Sequence, residues 1–217
     1  MTDPNLIDPQ VIGRQLRRPS GALGLKVAEK MNQSNHELLQ LALAELDLDG
    51  AGSLLEVGPG NGAHVPALLA RHPGLHYLGL DHAPDMVAEA RRYASNRASF
   101  RHGDLLDFTA EVSFERILTL NTAYFWQPLA PALARLQAAL APGGRLVLGV
   151  RSRRCMEKMA QFQQGFTLFE GPELEAALEG AGFSRVRLQK RREESITIQG
   201  QLMEKEALLL IAHKEAP

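Results

Sequence analysis

The feature that most constrains this chain is Ser53–Ala63, SLLEVGPGNGA, where an apolar run leads into three closely spaced glycines. Leu54, Leu55 and Val57 predict a buried strand, and the apolar residues after the glycines recur at helical spacing. Glycine accepts a positive φ and lets a ligand approach the main chain. A strand, a glycine turn and a helix N-terminus together predict a site for an anionic or polar ligand group.

Acidic residues follow the next two predicted strands. The second strand, His76–Leu80, ends at Asp81, one helix and one strand after the glycine turn. An acid at this distance is placed to bind both hydroxyls of a ribose at the carboxyl edge of a parallel sheet. The third strand, Ser99–Arg101, is followed by Asp104, which is either a turn residue or a hydrogen-bond acceptor for an adenine amino group.

A polar and aromatic stretch follows the fourth predicted strand, Arg116–Leu120. Asn121 comes first, and Tyr124 and Trp126 lie just beyond it. Two interpretations stay open for these rings: they anchor the next helix in the core, or they line a substrate pocket. Under the second interpretation, Tyr124 and Trp126 are the candidate substrate-binding residues.

The rest of the chain continues the alternation of strands and helices. A leucine-rich amphipathic helix is predicted to stop at Pro142-Gly143-Gly144, before a fifth strand at Arg145–Val150. No convincing helix separates the last two predicted strands, Ser184–Gln189 and Glu206–His213, which predicts a hairpin. We therefore expect an α/β fold with a doubly wound, Rossmann-like, seven-stranded sheet, mostly parallel with an antiparallel last strand.

Residues 1–33 lack a clean period and are punctuated by proline and glycine. They are interpreted either as a solvated N-terminal arm or as a lid over a ligand pocket, because long irregular segments of compact domains are often functional. The main domain is expected to span residues 34–217.

Composition narrows the classes of function. The 24 basic and 25 acidic residues leave a net charge of -1, which argues against nucleic acid and anionic membrane as partners. Cys155 is the single cysteine, so no intrachain disulfide and no cysteine-based metal cluster is expected, and no metal is assigned. The N-terminus lacks the apolar core of a signal peptide, and no run approaches a membrane span. We expect a cytoplasmic protein.

Four sequence features resemble those of class I S-adenosylmethionine-dependent methyltransferases. They are E-V-G-P-G-N-G at Glu56–Gly62, the acid at Asp81, the pair Gly103-Asp104, and Pro-Gly-Gly before the fifth strand. The resemblance extends over residues 34–213. It implies S-adenosyl-L-methionine as cofactor, S-adenosyl-L-homocysteine as product, and methyl transfer to a small-molecule acceptor.

The resemblance also implies a set of cofactor contacts along this edge of the sheet: Glu56, Gly58, Pro59, Gly60, Asn61, Gly62, Asp81, His82, Met86, Asp104, Leu105 and Asn121. Glu56 and the glycine backbones would hold the methionine part, and Asp81 would bind the ribose hydroxyls.

The remaining contacts concern the adenine and the sulfonium. His82 and Met86 would flank the adenine ring, and Asp104 with the backbone of Leu105 would recognise its edge. Asn121 would lie beside the sulfonium and the incoming acceptor. A catalytic base is required only for a protonated acceptor, and Tyr124 and His36 are candidates without either being assigned.

Two features distinguish the chain from particular methyltransferase classes. Enzymes that methylate nucleobase amino groups carry Pro-Pro and an aromatic after the fourth strand, where this chain has Asn-Thr-Ala-Tyr. Enzymes that methylate arsenite rely on several cysteines, whereas this chain has one.

Two alternative functions stay open. One is a nicotinamide-dependent oxidoreductase, although the glycines here have G-x-G-x-G spacing and not the G-x-G-x-x-G spacing of that class. The other is a non-catalytic adenosyl-binding protein.

Overall fold

The computed structural model describes residues 7–198 and 200–216. Its helices are α1 (Pro9–Arg17), α2 (Gly21–Ser34), α3 (His36–Leu46), α4 (Val65–Arg71), α5 (Pro84–Ala90), α6 (Leu129–Ala139), α7 (Arg153–Met156) and α8 (Gly171–Gly180). Its strands are β1 (Ser53–Val57), β2 (His76–Asp81), β3 (Ala98–His102), β4 (Phe114–Leu120), β5 (Leu140–Arg151), β6 (Ser184–Ile198) and β7 (Gln201–His213). Short 3₁₀ turns lie at Arg91–Tyr93, Ala123–Phe125 and Ala160–Phe162. No helix of the described segments has the length and apolar character needed to cross a membrane.

The strands form one seven-stranded sheet in the order β3-β2-β1-β4-β5-β7-β6. The pairs from β3 to β5 are parallel, whereas β7 runs antiparallel to both β5 and β6. The predicted doubly wound sheet with an antiparallel last strand is therefore confirmed. Because the strand order reverses between β1 and β4, the carboxyl ends of these strands flank the crevice where such sheets bind ligands.

Helices cover both faces of the sheet, which explains why β1 has consecutive apolar residues. Leu54 packs into the cluster that includes α3 and α4, and its neighbour Leu55 packs into the cluster on the opposite face with α6 and α8. Both leucines are fully buried. Successive side chains of a strand alternate between faces, so a central parallel strand needs apolar residues at every position that meets a helix layer.

The β6–β7 hairpin is longer than the sheet that it borders. β5 pairs with β7 only as far as Arg151 opposite Ala207, while β7 begins six residues earlier, at Gln201. The segment before Ala207 pairs with β6 alone, with Glu193 opposite Lys205. Because β7 is antiparallel, this extension projects beyond the carboxyl edge of the parallel strands, next to the β1–β4 crevice.

Two segments differ in the structure from what the sequence predicts. Residues that were expected to be irregular form α1 and α2, and Asp8 caps α1 by accepting a hydrogen bond from the Gln10 N–H (2.8 Å). The helix predicted to run to Pro142 ends at Ala139 instead, since Leu140 is extended and pairs with Phe114 at the start of β5. In both cases tertiary contacts, which sequence periodicity does not report, set the element boundaries.

Candidate active site

A cavity of about 840 Å³ lies at the carboxyl edge of the sheet. Its walls come from the glycine turn after β1, the ends of β2 and β4, helices α1 and α2, and the hairpin extension. This volume is within the range of small-molecule sites, roughly 300–1,000 Å³. The predicted site residues that line it are Glu56, Gly58, Pro59, Gly60, Asn61, Asp81, His82, Met86, Asp104, Leu105, Asn121, Tyr124 and Trp126.

The glycine turn has positive φ at each of its three glycines. At Gly58 (φ 78°) a Cβ would lie only 2.2 Å from Cγ2 of Thr122, so the close approach of the loop after β4 requires glycine there. At Gly60 (φ 58°) a Cβ would meet nothing within 4 Å, because the residue faces open space in the cavity wall. The turn thus presents main chain to the cavity, as a backbone cradle for a ligand must.

Gly62 lies apart from the other predicted cofactor contacts. Among the described residues, Gly62 does not line the cavity. A Cβ at Gly62 would lie 3.0 Å from Cβ of Ala90 and 3.2 Å from the Phe100 ring, so this glycine lets the turn pack against α5 and β3. The third glycine serves the packing of the turn, which sequence spacing alone does not distinguish from ligand contact.

Asp81 is held by the turn that it faces. Its Oδ2 accepts a hydrogen bond from the Gly60 N–H (3.0 Å), and its Oδ1 accepts one from the Ala83 N–H (2.9 Å). Burial raises the pKa of Asp81, although these two hydrogen bonds oppose the shift. A carboxylate has about four lone-pair sites, so both oxygens retain capacity to accept hydrogen bonds from a ligand in the cavity.

Glu56 is buried beneath the glycine turn with two partners. Its Oε2 accepts a hydrogen bond from the Tyr77 hydroxyl (2.8 Å) and lies 2.8 Å from Nε2 of His64. Burial alone lowers the pKa of His64, but the charge and hydrogen bond of Glu56 outweigh it, so the net shift is upward. Burial raises the pKa of Tyr77 well above its usual value, so its phenol remains a donor. Glu56 is thereby fixed in orientation.

The predicted adenine contacts lie together at one end of the cavity. Met86 is buried against Ala28 of α2 and Ala83, whereas Asp104 is exposed at the cavity rim. Asp104 Oδ1 accepts a hydrogen bond from the Leu106 N–H (2.9 Å), which fixes the turn after β3. His82 is partly exposed, and burial lowers its pKa, which favours the neutral imidazole.

Asn121 and Tyr124 form a connected pair after β4. Asn121 has φ 56°, a left-handed conformation that asparagine tolerates, and its N–H donates to the Gly149 carbonyl (2.8 Å). The Tyr124 hydroxyl lies 3.1 Å from Oδ1 of Asn121 and accepts a hydrogen bond from the Arg151 N–H. Burial raises the pKa of Tyr124, so this phenol stays protonated at neutral pH and is not suited to act as a base.

Aromatic rings line the cavity beyond Tyr124. Phe166 contacts Phe125 and Phe162 edge-on, with ring centroids 4.7 and 5.3 Å apart, and lies 5.8 Å from the Tyr124 ring. Trp126 lines the same cavity and also belongs to the core beneath β4 and β5. The aromatic stretch therefore belongs to both the core and the cavity wall, and substrate binding by Tyr124 and Trp126 stays a prediction.

Two basic residues of the cavity wall differ in what the sequence indicates about them. Arg151 and Lys205 both line the cavity and are both buried. The arginines that follow the fifth predicted strand, Arg151 among them, are interpreted from the sequence either as a solvated face or as part of a pocket mouth for a carboxylate or phosphate, whereas no sequence feature marks Lys205 as a site residue. His36, a candidate base, is not among the described residues that line the cavity; it lies in an adjoining surface depression that shares Leu39 and His64 with the cavity. Sequence spacing does not reveal which face of α3 meets the cavity.

Comparison with known proteins identifies the fold and the domain. Residues 54–144 match the family described as "Methyltransferase domain". That segment contains the glycine turn, Asp81 and Asn121, which are the features that face the cavity. This match supports the class I S-adenosylmethionine-dependent methyltransferase family for the domain around residues 54–144. The family's cofactor is S-adenosylmethionine.

Individual relatives of this chain agree with the match. A trans-aconitate 2-methyltransferase from Methylobacterium nodulans is 32% identical over 171 residues, covering 76% of this chain and 60% of the relative. An uncharacterized methyltransferase, YdaC, from Bacillus subtilis is 26% identical over 164 residues, covering 73% of this chain and 86% of the relative. The chain thus spans less than two thirds of the first relative's length.

The solved structure of YcgJ protein from Bacillus subtilis has the same fold as this chain. It superposes with a TM-score of 0.70 at 15% identity, covering 84% of this chain and all of the solved one. At this identity the likeness concerns the fold alone. The family match does not favour the oxidoreductase alternative, because residues 54–144, which include the glycine turn, match a methyltransferase domain.

Proposed function

We propose that this protein transfers the methyl group of S-adenosylmethionine to a small organic acceptor. The observation that supports it best is the cavity whose wall joins the open glycine turn, the tethered carboxylate of Asp81 and the loop at Asn121. We assign the glycine turn, Asp81 and the loop at Asn121 to different parts of the cofactor along the carboxyl edge of the sheet. A near-neutral net charge favours a small acceptor over nucleic acid.

The residues present fit the cofactor. The backbone at Gly60 faces open space, and Asp81 has lone pairs available for the ribose hydroxyls. We assign Met86 and His82 to the adenine, Asp104 and the Leu105 backbone to its edge, and Glu56, with Gly58, Pro59 and Asn61, to the region of the methionine part. Asn121 then lies at the junction of cofactor and acceptor.

The N-terminal helices serve as a lid in this proposal. Both α1 and α2 contribute to the cavity wall, and Asn32 of α2 donates a hydrogen bond from Nδ2 to Oδ1 of Asn61 in the glycine turn (3.0 Å). The Gly21 N–H at the start of α2 also donates to Oδ2 of Asp85 (2.7 Å). These contacts hold α2 over the cofactor region, so ligand entry requires α1 and α2 to move.

The mechanism follows from what this cavity can supply. Sulfonium is a good leaving group, so the protein's task is to align the acceptor and exclude water. When bound, S-adenosylmethionine would supply an electrophilic methyl group, which an acceptor lone pair would take as the C–S electron pair returned to sulfur. Tyr124 holds Asn121 in place, and the rings of Phe166 and Trp126 provide an apolar surface for the acceptor.

Trans-aconitate is the first acceptor to assay, because relatives bear the name trans-aconitate 2-methyltransferase. The test is calorimetric titration with S-adenosylmethionine and S-adenosylhomocysteine, followed by a product assay by mass spectrometry with trans-aconitate and other small acids, phenols and amines. Saturable binding at one site per chain with a methylated product supports the proposal. Absence of cofactor binding contradicts it, and binding without turnover across all acceptors favours the non-catalytic alternative.

A further inference from the structure

Three ionisable side chains form a buried cluster in the wall of the acceptor end of the cavity. Arg151 Nη1 lies 2.5 Å from Oε1 of Glu193, and Lys205 Nζ lies 3.0 Å from Oε2 of the same carboxylate. The side chains of Arg151 and Lys205 are each 6% exposed, and that of Glu193 is 0% exposed. One carboxylate therefore stands between two cations, and the cluster carries one net positive charge.

The two cations face the cavity and the anion does not. Arg151 and Lys205 are among the residues that line it, whereas Glu193 is not, within the described part of the chain. Glu193 orients the two cations from behind. A net charge left buried at a cavity wall is unfavourable without a partner, because burial removes the water that would otherwise stabilise it.

The cations retain hydrogen-bonding capacity. The described partners of the Arg151 guanidinium are Glu193 and, at 3.5 Å, Oδ1 of Asn35, whereas a guanidinium has five N–H donors. Lys205 donates to the Ser34 carbonyl (2.7 Å), which leaves a donor beyond this bond and the ion pair with Glu193. Excess positive charge and spare donors at one place are what an anion requires.

The cluster is adjacent to the groups assigned to methyl transfer. The Arg151 N–H donates to the Tyr124 hydroxyl, which in turn contacts Asn121. The Tyr124 hydroxyl thus connects the main chain of Arg151 to Asn121, the residue that we assign to the region of the sulfonium. Lys205 comes from the hairpin extension, which lies at the acceptor end rather than at the adenine end marked by Asp104.

We infer that Arg151 and Lys205 bind a carboxylate of the methyl acceptor, an inference that rests on the proposed function. One net positive charge matches the single charge of one carboxylate group, whereas a phosphate dianion places two negative charges on one group within the buried cluster. The acceptor is then an organic acid anchored by one carboxylate, with another atom directed at the methyl group. The hairpin extension determines this specificity, because it supplies both Lys205 and Glu193.

The test uses succinate as a carboxylate probe and succinamide as an uncharged probe of similar shape. Each is titrated into the full chain saturated with S-adenosylhomocysteine, at constant ionic strength, with inorganic phosphate in a parallel titration. We expect succinate to bind and succinamide not to bind. In Lys205→Met, which leaves a neutral Arg151–Glu193 pair, succinate affinity should fall roughly 10- to 100-fold.

Further variants separate charge recognition from structural support. The double variant Lys205→Met/Glu193→Gln again carries one net positive charge, and we expect it to recover succinate affinity even though it removes more of the ion network. Arg154→Met is the matched control, since Arg154 is exposed and pairs only at 3.8 Å with Glu204; its succinate affinity should equal that of the wild type. Arg151→Met replaces Lys205→Met if the latter does not fold by circular dichroism.

Several results would overturn the inference. Equal binding of succinamide, tighter binding of phosphate than of succinate, or no rescue in the double variant contradicts carboxylate recognition by charge. Reduced S-adenosylhomocysteine affinity in Lys205→Met would assign the cluster to the cofactor's own carboxylate. If the wild type does not bind S-adenosylhomocysteine, the proposed function fails; if it binds but takes up no succinate, only this inference fails.

Discussion

At the scale of single residues, Asp81 connects the glycine turn to the end of β2, where we propose that the ribose binds. Both of its oxygens accept backbone hydrogen bonds, one from the turn itself, so its position is fixed before any ligand arrives. Replacement by alanine removes a charged hydrogen-bond partner of the ribose, which costs about 1–3 kcal/mol. We therefore expect Asp81→Ala to raise the Kd of S-adenosylhomocysteine by the factor that corresponds to this free energy, and calorimetry measures that Kd.

The matched control for Asp81 is Asp107→Ala, since Asp107 is exposed and is not among the described residues that line the cavity. Its affinity should equal that of the wild type. Unchanged affinity in Asp81→Ala would refute the assignment to the ribose.

We expect Tyr124 to affect methyl transfer, whereas Asp81 affects cofactor binding. Its hydroxyl touches Asn121 and the Arg151 backbone, and its raised pKa keeps it protonated. Tyr124→Phe should therefore preserve S-adenosylhomocysteine affinity and reduce kcat, because Asn121 loses its fixed partner at the reaction centre. Steady-state kinetics measure kcat, and calorimetry measures the affinity for S-adenosylhomocysteine. A loss of cofactor affinity in this variant would place Tyr124 in the cofactor site instead.

His64 gives the stability of the fold a pH dependence. Its folded pKa is raised above the usual 6.5 by Glu56, so its ion pair contributes fully below that value and is lost as pH rises through the folded pKa. The stability difference between wild type and His64→Gln should thus be larger at about pH 6 than at about pH 9. Urea unfolding at each pH measures it, and a difference that grows with pH would contradict the ion pair.

At the scale of elements, α1 depends on one glycine for its position. A Cβ at Gly13 would lie 2.6 Å from the Gln161 carbonyl oxygen, so α1 packs backbone against backbone on the 3₁₀ turn Ala160–Phe162. Alanine is the better helix former by about 1 kcal/mol, yet tertiary contact forbids it here.

We expect Gly13→Ala to displace α1 from this turn and to speed the dissociation of S-adenosylhomocysteine, measured by stopped-flow competition. Gly74→Ala, where the added Cβ meets nothing within 4 Å, is the control and should leave the rate unchanged. If Gly13→Ala releases the product at the wild-type rate, α1 does not act as a lid.

At the scale of the whole molecule, the cofactor joins parts of the chain that are far apart in sequence. Its proposed site combines α2, the β1 turn, the β2 end and the loop after β4. A ligand that binds only the folded state at 100 times its Kd adds about 2.7 kcal/mol, which for a chain of this size raises Tm by roughly 5–10 °C. Differential scanning calorimetry with S-adenosylhomocysteine measures this, with NADH as the control that should not shift Tm.

The sequence by itself determined the sheet and the glycine edge. The alternation of apolar strands with amphipathic helices and the strand-end positions of Asp81 and Asn121 depend on local periodicity and on topology rules that apply to any such chain. Those features predicted the fold, the turn and the hairpin without reference to distant contacts.

Only the tertiary structure decided which residues meet across the cavity. Gly62 packs on Ala90 although its spacing matches that of a ligand contact, and α1 and α2 cover the site although their sequence has no clean period. Lys205 joins Arg151 because the hairpin extends past β5. Such pairings depend on long-range packing and burial, whose free energy is shared among residues far apart in the chain, so no local pattern encodes them.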